Sequence, residues 1–225
     1  MRSMYFFPVT AVFVAIFFFL PLFLLAAIQV GLISYAYERL GIDAHVILPL
    51  LLISLLGSAI NIPVTEVDGG QVVSQHVVDF FGIRYVIPVI ARHGRTVVAV
   101  NVGGAVVPTL LSFYLLATTG LFLRGVLGVT FVSLIVHRLA RPVPGVGIAV
   151  PLFVPPLVAA ATGLVLSPAH APALAYVAGT LGCLVGADLL NLHRLAGLGA
   201  PVASIGGAGT FDGIFFTGIV AVLLT

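Results

Sequence analysis

The run Val9-Thr-Ala-Val-Phe-Val-Ala-Ile-Phe-Phe-Phe-Leu-Pro-Leu-Phe-Leu-Leu-Ala-Ala-Ile-Gln-Val30 decides the class of this protein before any other stretch is read. It holds no charge and lacks the alternation of an outer-membrane strand. It also reaches the length of a membrane helix, which needs about 20 apolar residues. The remaining sequence agrees. Of 225 residues, 61% are hydrophobic and 7% are charged, and the mean hydropathy is +1.27. A soluble domain carries about 25% charged residues, so this chain cannot cover a water-facing surface. A soluble enzyme, a disordered chain and a nucleic-acid partner are all excluded. The expected fold is all-α and polytopic, one membrane domain over residues 1–225.

Working outward, the first span runs from about Tyr5 to Tyr37. It is too long, and flanked by too little charge, for a cleaved signal peptide. A second runs from His45 to Ile60 and stops at Asn61-Ile-Pro63, where proline bars helical continuation. Residues 64–97 differ: Glu66, Asp68, Asp79, Arg84, Arg92 and Arg95 all fall here. Arg84 to Val89 and Thr96 to Val100 are valine-rich and flank His93-Gly94, which predicts a small extramembrane β-hairpin. Further spans are expected at Val98 to Thr118, Leu121 to His137, Ile148 to Leu166 and Pro172 to Leu192. Asn101-Val-Gly-Gly104 breaks the third span in loosely the way Asn61-Ile-Pro63 closes the second. The last span lies within Gly199 to Thr225. It is either short, or it counts the run Gly206-Gly-Ala-Gly209 as membrane-embedded.

These seven spans alternate. With the N-terminus inside, Arg2, Arg84, Arg92, Arg95, Arg138, Arg141 and Arg194 are inner, and Arg39 and Arg124 outer. That asymmetry predicts a cytoplasmic N-terminus and an outside C-terminus.

Charge inside a membrane is costly and functional by default. The acids outside the first loop and the hairpin are Asp188, in Gly186-Ala-Asp-Leu-Leu-Asn191, and Asp212, which follows the glycine run. Both are expected at the cytoplasmic ends of adjacent antiparallel helices. Asp188 and Asn191 would share one helical face, and Gly182 and Gly186 another that lets a neighbouring helix approach closely. Gly206, Gly207 and Gly209 permit positive φ and free backbone N–H groups. Such backbone persists at membrane depth only where protein or water satisfies it, so a polar cavity is expected beside Asp212. The amides could form an anion nest, or could align an extended peptide and shape the carboxylate site. Helix capping by either aspartate is the plainer alternative.

Two carboxylates in reach of each other share a proton. One then serves as general base on a water while the other polarises a carbonyl, which is aspartyl-protease chemistry. The same pair could bind and release a proton in a carrier or serve a lipid-handling protein. Membrane lipids and single-span membrane proteins are the expected partners. No cofactor is implied, and His76, His93 and Asp79 lack a metal-ligand spacing. His137, Arg138 and Arg141 suit a lipid phosphate or an interfacial anchor. Cys183 reads as core packing.

Four strings together resemble a prokaryotic multi-pass membrane family, domain of unknown function sixteen-fourteen, over essentially the whole chain. They are Asn101-Val-Gly-Gly104, His137-Arg-Leu-Ala-Arg-Pro-Val-Pro-Gly-Val-Gly-Ile-Ala-Val-Pro151, Gly186-Ala-Asp-Leu-Leu-Asn191 and Ala203-Ser-Ile-Gly-Gly-Ala-Gly-Thr-Phe-Asp-Gly213. The resemblance implies a fold and no established activity. A more distant likeness is to the intramembrane aspartyl proteases: presenilin, signal peptide peptidase and the prepilin peptidases. It implies that Asp188 matches their first aspartate and Asp212 the one in their Gly-x-Gly-Asp motif. Here Thr210 and Phe211 stand between the glycines and the acid, and Pro172-Ala-Leu174 precedes both aspartates rather than following them.

Overall fold

The computed structural model describes residues 26, 28–68, 77–80, 83–86, 95–143, 147–194, 202–207 and 213–225. Seven α-helices lie among them: α1 (residues 28–39), α2 (Ala44–Gly57), α3 (Val107–Thr119), α4 (Phe122–Leu139), α5 (Val154–Leu166), α6 (Ala171–Cys183) and α7 (Gly213–Leu223). Prolines mark several starts. Pro108, Pro155, Pro156 and Pro172 occupy first-turn positions, where a missing N–H and a fixed φ do no harm. For that reason α5 begins at Val154 rather than at Ile148. Gly120, at φ +68°, closes α3 in the left-handed conformation and turns the chain into α4.

Among the described residues, three helical stretches are long and apolar enough to cross a membrane: Val102–Thr119, Phe122–Leu139 and Pro168–Arg194. The apolar helices α2, α5 and α7 are shorter, at 14, 13 and 11 residues. Even α2 reaches only about 21 Å at 1.5 Å per residue, short of a hydrocarbon core of about 30 Å.

A small β insertion is present, and its pairing differs from the expected one. Strand β1 (Asn61–Asp68) runs antiparallel to β4 (Arg95–Asn101), and β7 (Val202–Ile205) adds in parallel on β4's other side. Strands β2 (Val77–Phe80) and β3 (Ile83–Val86) form a separate hairpin. Thus 95–101 pairs with the residues after α2 and not with 84–89, while His93-Gly94 lies outside the described residues. The segment Val98–Asn101, read above as the start of a span, is strand. Valine supports either assignment, because a short β-branched apolar run carries no period that separates them. Strands β5 (Arg141–Val143) and β6 (Gly147–Ala149) form a second small pair, between α4 and α5.

Helix α6 is the centre of the molecule, packed on α3, α4, α5 and α7 and buried at nearly every position. A Cβ on Gly182 would lie 2.7 Å from the Val132 side chain, and one on Gly186 would lie 2.5 Å from Ser133 O. The glycine face inferred from sequence is therefore where α4 seats. At the end of the bundle away from the sheet, Tyr37, Leu115, Tyr176 and Val222 share one core. At the sheet end, Val98, Ala105, Ala203 and Ile205 form another.

Candidate functional site

The long sixth helix does not finish as an α-helix. Beyond Cys183 it widens into a π-turn, Leu184–Asp188, and then tightens into a 3₁₀ segment, Leu189–Arg194. Such π-turns are rare and recur at functional sites. Asp188 closes this one, half-buried. Its Oδ2 accepts a hydrogen bond of 3.0 Å from the Gly206 backbone N–H.

Gly206 and Gly207 follow β7 at φ +84° and +91°, the left-handed region that only glycine enters freely. That turn aims a strand-end amide at the carboxylate. The fit is close from behind as well: a Cβ on Gly104 would run into Gly206 O, and one on Gly206 would come within 2.6 Å of Ala105. Gly104 belongs to a second π-turn, Val102–Val106, which links β4 to α3.

Asn101 holds that turn. It is 1% exposed. Its Oδ1 accepts from Gly104 N–H at 2.7 Å, while its Nδ2 donates to Ser58 O at 2.7 Å and to Asn61 Oδ1 at 3.1 Å. Ser204 Oγ donates to the same Asn61 oxygen at 2.5 Å. Asn61 lies opposite Asn101 in the β1–β4 register, so the two loosely similar breaks in the sequence meet side by side. The result is a polar cluster joining α2, three strands and the glycine turn that holds Asp188. At the far end of β1 and β4, Arg95 and Glu66 pair at 3.0 Å with side chains 81% and 52% exposed, so the strands run from a buried end to a solvated one.

Asn191 is fully buried, and its Nδ2 donates back to Gly186 O and Ala187 O at 2.9 and 3.0 Å. It satisfies carbonyls loosened by the π-turn. Cys183 Sγ sits 3.6 Å from Thr217 Oγ1 in the α6–α7 contact. Asp212, Gly209, His76 and His93 lie outside the described residues, and of Asp79 the backbone alone is described. Among the described residues no cluster of three His, Cys, Asp or Glu side chains could hold a metal.

Sequence reasoning passed over Asn61, Asn101, Ser204 and Gly104 as parts of a site. The available signal was amide side chains at the ends of apolar runs, where a helix ordinarily needs none.

The model of the family described as "Protein of unknown function (DUF1614)" matches residues 55–224. The chain belongs to that family. The DUF1614 match takes in the end of α2, all seven strands and α3 to α7, and so both π-turns and the whole asparagine cluster. No curated protein and no solved structure matches the chain. The site offers a half-buried carboxylate at a helix break, to which the Gly206 backbone N–H donates. A carboxylate of that kind can take up or release a proton and orient a water.

Proposed function

We propose that this DUF1614 protein is an intramembrane aspartyl-protease-like enzyme that cleaves membrane-embedded peptides, with Asp188 and Asp212 as its dyad. The observation that carries the reading is the Asp188 carboxylate, held at 3.0 Å by the Gly206 amide where the central helix breaks. Helix α7 supports it. Thr217 packs against Gly179 and lies beside Cys183, and Ile214 joins the core that holds Ala187. The helix that Asp212 precedes therefore starts towards the Asp188 end of α6.

In the proposed chemistry, water attacks the scissile carbonyl as its proton passes to the ionised carboxylate. The protonated partner donates to the carbonyl oxygen, and collapse of the adduct returns a proton to the leaving amine. The proposal takes all seven helices as embedded in a prokaryotic cytoplasmic membrane, N-terminus inside. Consistent with that, the two outer arginines bind at the end of the bundle away from the sheet: Arg39 Nη1 donates to Val222 O at 3.2 Å and Arg124 Nη1 to Ser167 Oγ at 3.1 Å.

The test is cleavage of single-span substrates by reconstituted wild type, Asp188→Asn, Asp212→Asn and the double variant. A dyad predicts loss by orders of magnitude in each single variant and little further loss in the double, because groups acting as a unit are non-additive. A single variant that keeps most of the rate overturns the dyad. If wild type cleaves nothing, the acids belong instead to a proton-coupled transporter or a lipid-handling protein.

A further inference from the structure

Helices α2 and α3 run antiparallel and are close at one end only. At the sheet end α2 seats on the π-turn Val102–Val106, where a Cβ on Gly57 would lie 3.1 Å from Gly103 N. Beyond that contact an open cleft of about 460 Å³ lies between the two helices, within the size range of small-molecule sites. Val46, Leu50 and Ile53 line it from α2, and Val107 lines it from the start of α3. Its polar groups gather at the end away from the sheet. They are Asp43, just ahead of α2, and Tyr114, in the second half of α3.

Ile53 stands ten residues beyond Asp43, about 15 Å along α2 at 1.5 Å per residue. That is half of a hydrocarbon core of about 30 Å, so the cleft is one leaflet deep. A tyrosine at its mouth suits the membrane interface, where the ring lies in the apolar region and the hydroxyl meets headgroups. The charge at the mouth is an exposed carboxylate. Among the described residues Asp43 makes no ion pair, and its side chain does not cap α2. Arg39, four residues earlier, donates instead to Val222 O at 3.2 Å. An acid so placed, at the head of an apolar cleft of leaflet depth, attracts a cation and repels an anion.

We propose that this cleft holds one phospholipid whose headgroup carries a primary ammonium. An acyl chain lies along Val46, Leu50 and Ile53, and the ammonium donates to the Asp43 carboxylate in a charge-assisted hydrogen bond. An anionic headgroup brings no cation and meets a like charge. The site sits at the opposite end of the bundle from the Gly206 turn that holds Asp188, and it stands whether or not Asp188 belongs to a dyad.

Native mass spectrometry of the whole chain, released from detergent with matched amounts of phosphatidylethanolamine and phosphatidylglycerol, tests the site. Wild type should retain one phosphatidylethanolamine about fivefold more readily than phosphatidylglycerol, the scale of one exposed charge pair. Asp43→Asn should bring the two lipids level. Val46→Trp, at an exposed position where bulk fills the cleft and not the core, should lose that lipid with either headgroup and leave Tm unchanged. No preference in wild type, a preference that survives Asp43→Asn, or full retention in Val46→Trp would each overturn the proposal. An experimental structure in phosphatidylethanolamine nanodiscs supplies a second check. Headgroup density within hydrogen-bond reach of Asp43 would uphold the site, whereas residues 1–25 or a second copy of the chain seated in the cleft would overturn it.

Discussion

Asn101 does more than its size suggests, because three bonds from one side chain tie the end of α2, strand β1 and the first turn before α3. Asn101→Leu would strand Gly104 N–H and Ser58 O in a buried place. Each unmet group costs about 1–3 kcal/mol, and each kcal/mol lowers Tm by about 2–4 °C in a chain of this size. Thermal unfolding in detergent should therefore fall by several degrees, whereas exposed Ile62→Ala should stay near wild type. Asp188→Asn makes the opposite forecast. Its amide oxygen can still accept from Gly206 N–H, so Tm should hardly move while any proton-dependent activity is lost. A large fall in Tm would show that the charge itself holds the glycine turn. Gly207→Leu combines a strained φ with added bulk beside the turn, so activity should vanish while folded protein still accumulates. Full activity would reduce the turn to a linker.

At the scale of elements, α6 is positioned by absence of side chain. Gly182 sits against Val132 and Gly186 against Ser133, so α4 approaches more closely than any larger residue permits. Gly182→Leu would force the helices apart, and overpacking of this kind costs about 1–3 kcal/mol or more. Lower Tm and poorer recovery of folded protein should result, whereas Gly31→Ala, with open space around it, should change neither. This face was legible in the sequence, because a four-residue glycine spacing has one geometric meaning on a helix. The strands were legible only in part: Arg84 to Val89 and Thr96 to Val100 read as β pieces, but their pairing did not. Val98–Asn101 and Val202–Ile205 are short apolar runs, and β7 finds its partner only after four helices have intervened between it and β4. No local signal encodes that pairing.

For the molecule as a whole, the sheet end and the opposite end become two separable surfaces. Thr65 is exposed in β1, and Ala169 is exposed between α5 and α6. In a Cys183→Ala background, Thr65→Cys and Ala169→Cys should label from opposite sides of sealed vesicles. Thr65→Cys should label from the cytoplasmic side if the arginine asymmetry orients the chain. Labelling of both from one side would defeat the topology on which the dyad depends.

Composition alone established a membrane protein, since so few charges cannot solvate a surface, and the spacing of Gly182 and Gly186 established where helices meet. The placement of Asp188 at a helix boundary was also readable. Tertiary structure decided that the boundary is a π-turn, that the glycine turn donates to Asp188, and that Asn61 and Asn101 lie side by side. These facts depend on contacts across 18 to 143 residues of chain, set by how buried backbone finds partners where no water reaches it. A pattern within one segment carries no record of the segment that will satisfy it.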